Sequence, residues 1–362
     1  MSAVPEIQAS RCVRYRFRYS DCRRCEEACP HEAIRLSDEG AAIAGERCRG
    51  CGLCVAACRT ETFATPSLSP LALIEKARGR ATHSIACAPS GADADGIVPC
   101  LGALGPALLA YVVKQGVELN LAGSGHCTTC THGVRGGEQL ALNLDAVELL
   151  RVADPAGRWA AITLLERAKV RDTKDDDRRA ARRGFFRRLS SVGDAAAPGR
   201  PSAKAGAAPL RAIRAARVQP GSQRDLLQML GLAESLTPLA THRSLPVGDV
   251  RLEPGCTGCE ACARACPTGA LQVRENAAAW ALGFEAGLCV GCGVCFETCQ
   301  PDVLHLCEAV EARHFAKGVA VALHGRPKRR CTRCDRSFIV SNDGALCDVC
   351  AGDEQDFDAI FG

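Results

Sequence analysis

The sequence has few aromatic residues, since only 4% of its 362 residues are Phe, Trp or Tyr. This content is thin for domains that depend on large apolar cores. The net charge of +4 is small for a 38.2 kDa chain and gives no indication of nucleic-acid binding. The length is nevertheless too great for one small core, so we expect roughly two to four folded domains.

The chain also lacks a long apolar segment of the kind that spans a membrane. The best candidate, residues 96–113, carries no charge but contains two prolines and three glycines. It only reaches the lower length limit for a span, so we interpret it as a buried helix of a globular domain. The first ten residues have neither the basic nor the apolar region of a signal peptide, and we therefore expect a cytoplasmic protein.

Motifs of enzymatic chemistry are missing as well. The sequence has no phosphate loop, dinucleotide fingerprint or recognisable pair of nucleophile and base. The nearest approach, GSGHCT at 123–128, follows an expected strand but lacks the third glycine of a dinucleotide motif. We therefore expect an electron carrier or an accessory subunit rather than an enzyme.

Cysteine, in contrast, is abundant, with 25 residues. They form four groups: eight at 12–58, four at 87–130, nine at 256–307 and four at 331–350. In a chain without a signal peptide, this pattern favours reduced thiols that bind metal over the disulfides of a secreted protein.

The grouping predicts an α+β multidomain protein with five parts. These are an N-terminal cysteine-rich module (1–75), a small α/β domain with four cysteines (76–170), a basic linker rich in Arg, Ala, Gly and Pro that ends in a short helix (171–245), a second cysteine-rich module (246–315), and a C-terminal part with two CxxC pairs and an acidic tail (316–362). A flexible linker of about 80 residues would not hold the two modules at a fixed distance.

The second module carries the most regular motif, CTGCEACARACP at 256–267, followed by CVGCGVCFETCQP at 289–301. Three cysteines at i, i+3 and i+6 can surround one cubane, and the fourth cysteine of such a motif ligates the neighbouring cluster. The module resembles bacterial two-cluster ferredoxins. The resemblance implies one [4Fe–4S] cluster on Cys256, Cys259, Cys262 and Cys299, and a second on Cys289, Cys292, Cys295 and Cys266. Short strands at 270–273 and 303–306 fit the same fold, and Cys307 is left over as a buried thiol.

The N-terminal module repeats the pattern with one departure. CRGCGLCVAAC at 48–58 is intact, but CRRCEEACP at 22–30 lacks its leading cysteine, and Tyr19 occupies that position. The nearest substitute is Cys12. The resemblance then implies one cluster on Cys12, Cys22, Cys25 and Cys58, and another on Cys48, Cys51, Cys54 and Cys29. If Cys12 is not a ligand, the first site would hold a three-iron or labile cluster.

The four-cysteine domain has the order β-α-β-α-β, which predicts a parallel sheet. Its cysteines, Cys87, Cys100, Cys127 and Cys130, follow the strands and should meet at the carboxyl edge of the sheet, where such sheets bind ligands. This part resembles the iron–sulfur delta subunit of methyl-viologen-reducing hydrogenases, which implies a [2Fe–2S] cluster; a [4Fe–4S] cluster is the other iron–sulfur group that the site could hold. Zinc, a redox dithiol and plain buried thiols remain open. His126 and His132 flank the pair as further ligand candidates.

The C-terminal part contains CTRCDRSFIVSNDGALCDVC at 331–350. Two CxxC pairs at this distance suit tetrahedral metal, which indicates a zinc ribbon on Cys331, Cys334, Cys347 and Cys350. A rubredoxin-like iron is the alternative, because both metals accept four thiolates. The stretch 337–340 should be a strand and 342–344 a turn, and the acidic tail is either disordered or a docking segment.

Two functions follow from these patterns. The first is an electron-transfer protein that carries about four [4Fe–4S] clusters between partner redox proteins. The second is a cytoplasmic accessory factor for a molybdenum or tungsten oxidoreductase, such as a formate dehydrogenase or nitrate reductase. It rests on RRGFFRR at 182–188, which is similar to the arginine-rich start of polyferredoxin accessory proteins of periplasmic nitrate reductase.

Overall fold

The computed structural model describes residues 4–166, 213, 217–219, 221–235, 237–315, 318–340 and 344–353. Four expectations lie outside these residues: the basic linker from 171 to 212, the RRGFFRR element within it, the turn at 342–344 in all but its last residue, and the acidic tail from residue 354 onward. Among the described residues, no helix combines the length and apolar character needed to cross a bilayer.

The N-terminal module consists of short helices between two small antiparallel ribbons. Its elements are β1 (Glu6–Ile7), α1 (Val13–Arg16), α2 (Arg24–Ala28), β2 (Ile34–Ser37), β3 (Gly40–Ile43), α3 (Leu53–Ala57) and β4 (Phe63–Ala64). Strand β1 pairs with β4, and β2 pairs with β3. Helix α2 ends at Ala28, and the backbone of Cys29 that follows is extended, as a residue before proline prefers. The small core of this module contains cysteines beside Ile34 and Phe63, so the thiols themselves fill part of the interior.

The central domain contains the predicted parallel sheet, with one strand more than the sequence indicated. Its elements are α4 (Pro70–Ala77), β5 (Thr82–Cys87), β6 (Gly96–Val98), α5 (Pro106–Lys114), β7 (Glu118–Ala122), α6 (Arg135–Val152) and β8 (Ile162–Leu165). The strand order is β6-β5-β7-β8, and all three pairings are parallel. The extra strand, β6, has only three residues, too few for a periodic pattern. The stretch 96–113, interpreted as a buried helix, is helical only from Pro106 onward in α5, which is buried over most of its length, whereas the first three residues of the stretch form β6.

The second module and the C-terminal part share one sheet. Their elements are α7 (Ser222–Met229), β9 (Leu239–Ala240), β10 (Val250–Leu252), α8 (Ala261–Ala265), β11 (Leu271–Glu275), β12 (Ala279–Phe284), α9 (Val294–Glu297), β13 (Leu304–Leu306), β14 (Ala309–Val310), β15 (Val321–Arg330) and β16 (Ser337–Ile339). The order β11-β12-β15-β16 is antiparallel throughout, so the C-terminal strands extend the sheet of the module.

The two cysteine-rich modules lie in direct contact, which contradicts the expectation that the linker leaves their distance open. The Arg59 guanidinium of the first module donates to the backbone carbonyls of Gly291 and His242. The buried Arg16 donates to the carbonyl of Arg264 at 2.6 Å. This contact requires glycine at position 291. At φ +61°, a side chain there would clash with the Val247 carbonyl and with Arg59.

Helix α7 ties all three domains together. The Glu61 carboxylate of the first module accepts hydrogen bonds from the Ser222 and Gln223 amides at 2.9 and 2.7 Å. The buried Arg224 donates to the carbonyls of Ala286 and Gly287 in the second module. The other side of α7 packs on α5 of the central domain. One helix of eight residues therefore contacts both cysteine-rich modules and the central domain.

Candidate metal centres

The structure brings the cysteines together in six groups. Site I denotes Cys12, Cys22, Cys25 and Cys58; site II denotes Cys29, Cys48, Cys51 and Cys54; site III denotes Cys266, Cys289, Cys292 and Cys295; site IV denotes Cys256, Cys259, Cys262 and Cys299; the central site denotes Cys87, Cys100, Cys127 and Cys130; and the ribbon site denotes Cys331, Cys334, Cys347 and Cys350. All 25 cysteines of the chain are free of disulfides.

Site I includes Cys12 despite its distant position in the chain. Cys12 is buried between a 3-10 turn and α1. Burial raises the pKa of the Cys25 thiol well above its usual range, and the thiols of Cys58, Cys22 and Cys12 raise it further. The structure thus places three other thiols around Cys25, from both halves of the module. The Thr62 amide donates to the Cys58 sulfur at 3.3 Å.

Site II is built in the same manner from the other half of the module. Burial raises the pKa of the Cys54 thiol, and the thiols of Cys51, Cys25, Cys29 and Cys48 add to that effect. Three of these belong to site II, and the fourth, Cys25, belongs to site I. Backbone amides point at the sulfurs here too: Ala33 donates to Cys29 at 3.3 Å and Gly50 to Cys48 at 3.4 Å.

Sites III and IV repeat this arrangement in the second module. Burial raises the pKa of Cys262 to about 12, and the thiols of Cys256, Cys259 and Cys299 contribute. Around Cys295 lie the other three thiols of site III together with Cys262 of site IV. Cys259 is exposed, so site IV reaches the surface of the molecule. The leftover Cys307 lies outside these sites and is only partly buried, in contrast to the expectation of a buried thiol.

The thiols of sites I to IV are spaced for a group larger than one ion. Among the described residues, only two groups of three or more His, Cys, Asp or Glu have ligand atoms within 4.8 Å of one another, and neither is one of these four sites. A cubane presents a different iron to each thiolate, so its ligands stand farther apart than those of a single ion. Bound iron would also keep the thiols deprotonated, offsetting the effect of burial on their pKa. The donors therefore fit iron–sulfur cubanes.

The central site lies at the carboxyl edge of the parallel sheet. Cys87 is the last residue of β5, Cys100 follows β6, and Cys127 and Cys130 lie in the 3-10 turn and cap after β7. The four thiols line one small pocket. His132 is buried beside it, and its amide donates to the Cys130 sulfur at 3.4 Å. His126 also lines the pocket, and its ring contacts Thr129.

The ribbon site has the spacing of a single tetrahedral ion. Its four sulfurs lie within 4.8 Å of one another, and those of Cys334 and Cys347 are 3.8 Å apart. Four Zn–S bonds of about 2.3 Å place their sulfurs about 3.8 Å apart, so the donors fit one metal ion. Backbone hydrogen bonds, first of all one involving Cys347, lower the pKa of Cys331 to about 6. Strand β16 lies between the two CxxC pairs, within the predicted stretch 337–340.

Several residues at these sites were not singled out from the sequence. Arg59 and Arg16 cross from the first module to the second, and Arg135 at the start of α6 donates to the carbonyls of Glu27 and the site II residue Cys29. His31 shares a 3.0 Å hydrogen bond with His132. The sequence contains one signal for Arg59. It follows Cys58 directly, at the position where Cys29 and Cys266 are each followed by proline.

Comparison with known proteins agrees with this geometry. The family model of the 4Fe-4S dicluster domain matches residues 20–63 and 255–304. Both matched segments are therefore ferredoxin-type 4Fe-4S dicluster regions. The two matches cover the ligand motifs of sites I to IV except Cys12, which precedes the first match. A search of curated proteins gave no match.

Proposed function

We propose that the chain is an electron carrier that holds four [4Fe–4S] clusters, one at each of sites I to IV, and passes single electrons between partner redox proteins. The observation that carries the proposal is the crossed composition of each site. Sites II, III and IV each combine three thiols of one motif with the fourth thiol of the other, as in two-cluster ferredoxins, and site I combines Cys12 and two thiols of one motif with Cys58 of the other. When bound, a cubane accepts or releases one electron at a potential set by its surroundings.

The residues of the chain supply those surroundings. The backbone amides of Ala33, Gly50, Thr62 and Gly291 donate to ligand sulfurs, and such hydrogen bonds raise the reduction potential of a cluster. Burial of Cys25, Cys29 and Cys54 keeps water from sites I and II. We further propose an iron–sulfur group at the central site and zinc at the ribbon site.

Iron analysis tests the proposal. Protein purified without oxygen should contain about sixteen iron atoms from four cubanes, with about two to four more if the central site is filled. A content below about twelve after careful reconstitution would contradict the four-cubane proposal. The accessory role for a molybdenum or tungsten oxidoreductase rests on residues 182–188, which lie outside the described residues.

A further inference from the structure

The sites of the two modules lie beside each other where the modules meet. A small pocket at the contact is lined by all four cysteines of site I, by Arg59 and by Cys292 of site III. The same boundary contains the hydrogen bonds of Arg59 and Arg16 to backbone carbonyls of the second module. Buried Ser20 and the neighbouring Asp21 also interact with Glu297 of α9. Contacts on several sides therefore hold sites I and III against each other.

The central site is joined to site II in a similar way. The loop that carries Cys51 packs against the turn that carries Cys100: a side chain on Gly102 would meet Leu53, and one on Gly52 would meet Ala103. The hydrogen-bonded rings of His31 and His132 lie beside Cys51, all within 4.8 Å.

Each successive pair of sites therefore has thiols near one another. The pairs are Cys100 with Cys51, Cys54 with Cys25, Cys22 with Cys292, and Cys295 with Cys262. We propose that the five sites form one unbranched electron path in the order central site, II, I, III, IV, with Arg59 as the positioning residue of the joint between the modules. This inference rests on the proposed function, because it requires clusters at the sites.

At the joint, one electron leaves the reduced cluster of site I, which is oxidised, and enters the oxidised cluster of site III, which is reduced; no bond or proton is transferred. The Arg59 cation lies near thiols of both sites, Cys22 on one side and Cys289 and Cys292 on the other. A positive charge favours the more negative, reduced form of each cluster. Arg59 should therefore raise the reduction potentials of sites I and III together.

Electron paramagnetic resonance of two matched variants tests the order of the sites. The first combines Cys48→Ser, Cys51→Ser, Cys256→Ser and Cys259→Ser and leaves clusters only at sites I and III. The second combines Cys22→Ser, Cys25→Ser, Cys289→Ser and Cys292→Ser and leaves them only at sites II and IV. Both variants also carry Cys127→Ser and Cys130→Ser, which empty the central site, so each keeps one cubane per module, or about eight irons. After reduction by dithionite, the first should show a spectrum broadened by magnetic interaction between the clusters, and the second should show the sum of two isolated clusters.

A first variant that holds its eight irons and shows no interaction would overturn the path. A loss of iron from wild-type protein would instead count against the proposed function. If these variants do not fold, redox titration of Arg59→Ala replaces them. It should lower the potentials of two clusters, Arg59→Lys should restore them, and Arg35→Ala, which removes an exposed arginine of the same module, should change none. Equal potentials in Arg59→Ala and wild-type protein would also overturn the proposal.

Discussion

At the residue scale, Cys12 is the proposed ligand whose role is least evident from the spacing of the cysteines. Nine residues separate it from Cys22, where the regular motif has two. Helix α1 takes up part of this distance, and a side chain on Gly40 of β3 would touch the Cys12 sulfur. The longer loop is therefore folded against the module, which allows the thiol to reach site I.

Replacement of Cys12 tests this role. Cys12→Ser should lose the cubane of site I, with a loss of about one iron if a three-iron cluster remains and about four if the whole cluster is lost, because three thiols leave one iron without a ligand. Iron analysis and the visible absorbance of the clusters measure the loss. Cys307→Ser is the matched control, since Cys307 lies outside every site, and it should keep the full iron content. If Cys12→Ser also kept all its iron, Cys12 would not be a ligand.

At the scale of elements, the start of α7 depends on a residue far away in the sequence. No side chain of the helix itself caps its first turn. Glu61 takes this place, and its carboxylate accepts from the amides of Ser222 and Gln223 and from the Ser222 hydroxyl. A negative charge at this end also interacts favourably with the helix dipole.

Glu61→Ala should therefore loosen α7 without unfolding the chain. Loss of such a cap costs about 1–2 kcal/mol. Amide hydrogen exchange within 222–229 should accelerate roughly 5- to 30-fold, as follows from that energy. Glu75→Ala, at an exposed position of α4, is the control and should leave the exchange unchanged. An unchanged rate in Glu61→Ala would mean that packing alone holds the helix.

The C-terminal ribbon should lose its metal independently of the cubanes. The double variant Cys331→Ser and Cys347→Ser removes one ligand from each CxxC pair, so about one zinc should disappear while the iron content stays constant. Metal analysis by mass spectrometry distinguishes the outcomes. A loss of one iron in place of zinc would identify a rubredoxin-like centre.

At the scale of the whole molecule, the sequence allowed prediction of the parts but not of their arrangement. The spacing of the cysteines predicts the ligand motifs, and the alternation of helices and strands predicts the parallel sheet. The contact between the modules depends on Arg59, Arg16 and backbone carbonyls more than two hundred positions away. Such contacts leave no periodic pattern, and an arginine in a loop is common on any surface. The linker between the modules therefore suggested independence that the folded contacts contradict.

Shortening the linker tests whether the folded contacts or the linker set the distance between the two modules. Deletion of residues 190–205 leaves 30 residues between 166 and 213, which at about 3.3 Å each can still span roughly 100 Å. If the contacts at Arg59, Arg16 and α7 hold the modules, the magnetic interaction between sites I and III and the rate of electron transfer between them should equal those of the full chain. If the linker sets the distance, both should change with its length. The expected result is no change, because the contacts that join the modules lie outside the deleted segment.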